Sequence, residues 1–315
     1  MGKLSVSVGL FAWLFVAEPF LSSGPFAQTL YAATAPRTVG PNVTGRLYVV
    51  DPATAESKLI GRIRIGGAAS VRITGMAVHP ATGVLYGSSA GFSFPPSLLT
   101  IDPRTAEARI IGPLGYPTSD LSFDRNGQLY AWLSDLHQLA AVNLNTGAAT
   151  PQGPVIGAAE STGGGLAIDR ADIAYVIPGT AAGTIDTINI ATLKSEVGPI
   201  LTGAPYLSSI NSLTLSVKGG IYGVNSNMAA SAKTALVFIN PKTGIVTKIG
   251  DLPEDVDGLA FSPDVVSAGA AQPEQSSRLV QIALMALAVI LAGIFVLITH
   301  RKIRPPGQDS NHGKR

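Results

Sequence analysis

Along most of the chain, short runs of alternating apolar and small or polar residues end in turn-forming clusters, and the same runs return in a fixed order. One recurring text reads GMAVHP, DLSFDR, GLAIDR, SLTLSV and GLAFSP around Met76, Leu121, Leu166, Leu213 and Leu259. These central apolar residues lie 45, 45, 47 and 46 positions apart. Period-two alternation closed by a turn reads as a β-strand packed on both faces. A second piece, an aliphatic residue or alanine followed by Tyr, recurs at Tyr31, Tyr86, Tyr130, Tyr175 and Tyr222. Between the first and second pieces stand ATG, RNG, RAD and KGG, which are hairpin turns because Gly and Asn adopt positive φ readily.

A third piece ends at Asp51, Asp102, Asn143, Asn189 and Asn240, in the texts DPAT, DPRT, NLNTG, NIAT and NPKTG. An Asp or Asn side chain can bond the backbone ahead of it, so these are turns as well. A fourth run, such as SKLIGRI, ARIIGPL or IVTKIGDL, closes the unit at a glycine. Strand-bearing units repeating every forty-odd residues mark a β-propeller. Five such units fit between Gln28 and Asp264. The phase predicts how the ring shuts. The chain enters in the second piece, at Leu30-Tyr31, and the fifth first piece, Gly258–Phe261, comes last. The expectation is an all-β, five-bladed propeller with a three-plus-one closure, the last strand completing the blade begun at Leu30. Such closure removes two exposed sheet edges.

The phrase carried by Leu85-Tyr86-Gly87, Ile101-Asp102-Pro103, Ile239-Asn240-Pro241-Lys242-Thr243-Gly244, Ile249-Gly250 and Gly258-Leu259-Ala260-Phe261 resembles bacterial extracytoplasmic propeller repeats of the NHL and YVTN kind. The resemblance implies a propeller fold and an envelope location. No catalytic set travels with it, because the motif residues build turns and blade cores in that family. The third unit departs from the pattern by lacking the Pro (NLNTG), and the fourth lacks both Pro and Gly (NIATLKS).

Composition narrows the class. Charged residues make up only 13% while Gly numbers 35 and Pro 22, which suits short strands and tight turns and argues against a helical protein. Cys is absent, which excludes disulfides, thiolate metal sites and a cysteine nucleophile. The net charge of +2 hides an asymmetry: Arg301, Lys302, Arg304, Lys314 and Arg315 crowd the end against one Asp309. The remainder is near neutral, so no nucleic-acid surface is expected.

The two ends read as targeting segments. Residues 1–27 hold Lys3 and then a mostly apolar run over 4–17, the layout of a signal peptide with an unclear cleavage site. Residues 279–299 are 21 positions without a charge, enough to cross a bilayer as a helix. The cations that follow in the 300–315 tail place that end in the cytoplasm by the positive-inside rule. Residues 265–278, small and polar, read as a flexible stalk. The propeller of residues 28–264 is therefore expected outside the cytoplasm, on a single-pass anchor.

Candidate chemistry concentrates where loops enter the first strand of each unit. Thr74, Ser119, Gly164, Asn211 and Asp257 stand in that column, with Asp120 one place further. Small polar residues there suit either a ligand-binding mouth or a crowded, water-filled axis. Thr74, Ser119, Asp120, Asn211 and Asp257 are the binding candidates. No catalytic or metal set is expected, and no cofactor; Asp251, Glu254 and Asp255 share a loop that could hold Ca²⁺ but match no calcium-loop spacing. Gly163-Gly164-Gly165 lacks the following helix that a phosphate cradle needs. The sequence thus points to a binding or scaffold module for a protein, glycan or small ligand. The alternative is a carbohydrate-active hydrolase using Asp120 and Asp257.

Overall fold

The computed structural model describes residues 28–36, 45–67, 69–90, 95–157, 163–179, 183–206, 209–226 and 233–263. The signal-like segment, the stalk, the apolar run of 279–299 and the basic tail lie outside them. The described residues form an all-β, five-bladed propeller without a helix.

Blade one is the sheet Val256–Phe261, Leu30–Thr34, Arg46–Val50 and Ser57–Arg62, taken from the axis outward. Blade two runs Ile73–Val78, Leu85–Ser89, Ser97–Ile101 and Glu107–Pro113. Blade three is Thr118–Phe123, Leu129–Leu133, Gln138–Val142 and Ala149–Gln152. Blade four is Gly164–Ile168, Ile173–Pro178, Asp186–Asn189 and the short Ser195–Glu196. Blade five is Ile210–Leu215, Ile221–Ser226, Thr234–Ile239 and Val246–Leu252. The five inner strands touch their neighbours in sequence and close a ring, with blade one's inner strand lying against those of blades five and two.

The turn chemistry follows the sequence pattern. Gly83, Gly127, Asp172 and Gly219 take φ of 70°, 84°, 59° and 79° in the ATG, RNG, RAD and KGG hairpins. The side chains of Asp51, Asp102, Asn143, Asn189 and Asn240 each accept an amide two or three residues ahead, at 2.7 to 3.0 Å. Four residues after each of these acceptors the chain turns left-handed, at Ala55, Ala106, Gly147, Leu193 and Gly244. Blade four therefore makes the same turn with Leu193 in the glycine slot, at φ 55°.

The closing glycines have a partner in the next blade. A Cβ on Gly112 of blade two would stand 2.1 Å from the carbonyl oxygen of Thr146, in blade three's Asx turn. A Cβ on Gly250 of blade five would meet Thr54 of blade one at 2.6 Å. The repeat phrase thus encodes an interlock, in which the turn of one blade seats on the glycine of the blade before it.

The hydrophobic core is divided among the seams between blades. Five clusters of buried side chains fill the five seams. The closing seam matches the others in kind: Leu30, Val50, Leu259 and Phe261 of blade one bury against Val224, Leu236 and Leu252 of blade five. Tyr222 of blade five meets Phe261 edge-on at 5.2 Å, as Tyr86 of blade two meets Phe123 of blade three at 5.4 Å. The final strand pairs antiparallel with the first, Leu30 opposite Phe261 and Ala32 opposite Leu259. Thr29 and Ser262 exchange two hydrogen bonds beyond the strand ends, and Gln28 bridges Ser262 to the Val217 amide of blade five.

One addition was not foreseen. Arg64–Ile65 and Ala69–Ser70 form a small hairpin whose first strand pairs parallel with Glu107–Pro113, extending blade two to six strands. The Gly66-Gly67 turn permits it, and the Glu107 carboxylate accepts the Gly67 amide at 3.1 Å.

Deleting Val256–Phe261 is expected to abolish the cooperative thermal transition, read by circular dichroism, and an unchanged melting temperature would show that the ring does not close this way. Replacing the fully buried Leu259 by Ala removes a side chain from the closing seam and is expected to cost about 2–5 kcal/mol in denaturant unfolding.

Candidate functional site at the channel mouth

The antiparallel ladders carry a repeated irregularity at one end of the inner strands. Between Ile73 and Gly75 the register slips, so that Thr74 has no cross-strand partner. The same slip occurs at Ser119, between Thr118 and Asp120, and at Asn211, between Ile210 and Ser212. In blade one it falls at Asp257, between Val256 and Gly258. A β-bulge leaves its extra residue outside the pairing and re-aims its side chain. Blade four keeps regular pairing and instead holds Gly164 at φ 115°.

The four bulged side chains line a single cavity of about 380 Å³ at this mouth, together with Arg72, Thr118, Ser134, Ser226, Thr234 and Asp255. Thr74, Ser119, Asn211 and Asp257, read from the sequence as one column, are thus brought together. Asn211 donates through Nδ2 to Asp257 Oδ1 at 2.7 Å and hydrogen-bonds Ser209 through Oδ1. Thr74 donates to the Thr118 carbonyl at 2.6 Å, crossing from blade two to blade three. The Arg72 guanidinium lies partly buried in the field of Asp257 and Asp255. Burial pulls its pKa down, and the two carboxylates oppose that. Arg72 escaped the sequence reading because it precedes the aligned strand; its only signal was a cation just outside the column.

Asp120 lies elsewhere. Its side chain is 0% exposed and is not part of the cavity wall. From blade three it reaches across the ring: Oδ2 accepts the amides of Leu166 in blade four and Leu213 in blade five, both at 2.8 Å. Oδ1 bonds the Ser212 hydroxyl at 3.0 Å, and Ser212 in turn accepts the Leu259 amide of blade one at 3.0 Å. One carboxylate and one hydroxyl therefore tie the inner strands of four blades. Close approach leaves little other room, since a Cβ on Gly75 would sit 2.5 Å from the Asp120 Cα. Burial pushes the Asp120 carboxyl well above the usual carboxylate range, against the pull of the Leu166, Leu213 and Leu121 amides and the Ser212 hydroxyl.

Asp120 and Asp257 therefore do not face a common cavity, as an acid and its partner in glycoside hydrolysis must. Trp132, which could have served as a sugar platform, is 0% exposed within blade three. Asp251 is exposed and bound to Lys248 Nζ at 2.6 Å, whereas Asp255 lines the mouth. Among the described residues no three His, Asp or Glu side chains are grouped to hold a metal. His79 Nδ1 accepts the amides of Ala81 and Thr82 and its ring rests on Phe123 at 4.9 Å, so it serves its turn. Gly164 and Gly165 begin a strand, with no helix to cradle a phosphate.

The opposite mouth opens to about 690 Å³, over an apolar floor that includes Met76, Leu121, Phe123 and Phe261. Its rim carboxylates Asp124 and Asp169 each accept two amides of their own turns, and Gln28 and Ser262 are bound into the closure.

No protein-family model matches the chain, and no curated protein matches its sequence. Solved structures are similar in fold. A chain in a nidogen–laminin complex superposes with a TM-score of 0.50 at 11% identity, covering 76% of this chain and 99% of that one. TolB from Acinetobacter baumannii gives 0.46 at 15% identity, over 74% of this chain and 55% of its own. A protein of unknown function from Bacteroides caccae gives 0.46 at 11% identity, over 75% and 99%. Likeness at such identities concerns the fold alone.

Removing the Asp120 carboxylate by Asp120→Ala strands two buried amides and is expected to cost about 1–3 kcal/mol for each of them in denaturant unfolding. The pH dependence has a definite sign. A carboxyl whose folded-state pKa is raised adds stability at low pH that is lost as pH rises from about 4 through the folded value. The stability advantage of wild type over Asp120→Asn is therefore expected to shrink with rising pH, and a difference that stays flat would contradict this placement of Asp120.

Proposed function

We propose that the chain is an extracytoplasmic binding module, held to a membrane by residues 279–299, that takes a ligand at the mouth lined by Thr74, Ser119, Asn211 and Asp257. The observation that supports this reading is the convergence of four bulged residues from four blades on one cavity. A bulge interrupts a ladder that would otherwise be continuous, and four at one level re-aim four polar side chains toward the same space. A merely structural axis needs no such device, as the fully paired level of Met76, Leu121, Leu166, Leu213 and Leu259 illustrates. The cavity suits a small polar ligand or a single side chain or sugar of a larger partner. On this reading residues 1–27 direct export, residues 265–278 form the stalk and the 300–315 tail is cytoplasmic. The fold alone does not select a function, so the argument rests on the site.

Thermal-shift screening of the purified full-length protein against sugars, amino acids, amines and organic acids tests the mouth. A ligand at about a hundred times its Kd is expected to add about 2.7 kcal/mol of stability, and Asn211→Ala or Ser119→Val is expected to erase the shift. Binding that ignores both substitutions places the site elsewhere. Deleting 279–299 is expected to move the protein from the membrane fraction to the soluble fraction, and retention at the membrane would remove the anchor from this reading.

A further inference from the structure

Five hydroxyl groups of the mouth donate to backbone carbonyls. Thr74 Oγ1 donates to the Thr118 carbonyl at 2.6 Å, and Thr118 Oγ1 to the Tyr116 carbonyl at 3.2 Å. Ser119 Oγ donates to the Trp132 carbonyl and Ser134 Oγ to the Pro117 carbonyl, both at 3.4 Å. Thr234 Oγ1 donates to the Pro253 carbonyl at 2.7 Å. A hydroxyl has one proton and two lone pairs. With the proton given to the backbone, these groups have lone pairs left to accept with, one of which Thr74 Oγ1 already shares with the Ser88 hydroxyl at 3.0 Å. Asn211 Nδ2, an amide donor at this level, is directed at Asp257 Oδ1.

Charge points the same way. Among the described lining residues, two carboxylates, Asp255 and Asp257, stand against one guanidinium, Arg72. These described residues therefore carry one more negative than positive charge, beside an excess of acceptors. A further, independent feature is Ser226 on the cavity wall: it is 2% exposed, and among the described residues its Oγ has no hydrogen-bond partner. A buried hydroxyl without a partner costs free energy unless something else supplies the bond. In this wall, a ligand's donor would do so.

Resting on the reading of this mouth as a ligand site, we propose that it recognises a small ligand through a protonated amine, seated among Asp257, Asp255 and the hydroxyl lone pairs, with Ser226 in its shell. A bare metal ion shares the preference for oxygen acceptors. The absence of three grouped metal-binding side chains among the described residues favours the organic cation, whose directional N–H donors need no such set.

The test uses the full-length protein at pH 7 with probes that vary charge on one ring: glucosamine, N-acetylglucosamine and glucuronate, with putrescine as a second cation and calcium chloride as the metal arm. Glucosamine or putrescine is expected to bind about tenfold or more tightly than the neutral and anionic probes, the worth of one charge-assisted hydrogen bond. Asp257→Asn is expected to remove this ordering. Ser226→Ala is expected to weaken the amine by about tenfold, with the melting temperature of the ligand-free protein unchanged because its Oγ bonds nothing among the described residues. Equal binding of all three rings, with sensitivity to Asn211→Ala, overturns the amine preference while leaving the mouth as a site. Binding of calcium in place of either amine, or no binding of either amine, also overturns it. Amine binding that ignores every mouth substitution sinks both readings.

Discussion

The fold depends on pairing between the two ends of the domain, Val256–Phe261 against Leu30–Thr34. Each blade is a thin sheet whose apolar faces are covered only by its neighbours, as the division of the core into five seam clusters makes plain. An open ring would expose one face on each side of the gap and two unpaired strand edges. Closure therefore protects more than a single blade's share of buried surface, and it couples every seam to every other. Without cysteine, no covalent link can substitute for it. The bonds around Gln28, Thr29 and Ser262 extend the seam past the strand ends, toward blade five.

At the axis the constraint is crowding. The place before the central apolar residue of each inner strand holds Gly75, Asp120, Gly165, Ser212 and Gly258. Three positions without side chains leave room for two polar ones, and those two are bonded to each other. Ionising a buried carboxyl is costly, and here three amides and a hydroxyl offset part of that cost. The arrangement is economical because the donors are strand amides facing the axis, and a carboxylate can accept several of them at once.

Much of this was legible in the sequence because turns and strands are local. The period, the Asx turns, the hairpin glycines and the phase of the first and last pieces gave the blade count and the closure. Blade four looked degenerate because its turn lacks both Pro and Gly, yet the backbone at Leu193 is left-handed all the same, as it is at Ala55 and Ala106; tertiary packing overrides the propensity of one residue. The column of Thr74, Ser119, Asn211 and Asp257 was legible as well, but its bulges were not, since an extra residue in a strand becomes visible only through its partner strand. Asp120 stands beside that column in sequence and apart from it in space. Once the strand is bulged, neighbours in the chain face different environments, and no spacing rule distinguishes the carboxylate that ties the axis from the one that faces the cavity. The blade-two hairpin and the Ser226 hydroxyl, partnerless among the described residues, are likewise products of long-range packing.

The two levels of the inner strands divide the work by their hydrogen bonding. At the level of Asp120 and Ser212, side-chain acceptors are satisfied by amides from other blades, so the polar groups are consumed in holding the ring. One residue earlier, at the bulges, the Thr74 and Ser119 hydroxyls give their protons to carbonyls, as the neighbouring Thr118 hydroxyl does. The same requirement, that buried polar groups find partners, thus closes the axis below and leaves an acceptor-lined mouth above. A propeller whose repeat specifies only turns and seams acquires individuality where the repeat is broken. The residues that break it here are the bulged ones, together with Arg72 and Asp255 beside them and Ser226 at the end of a second strand.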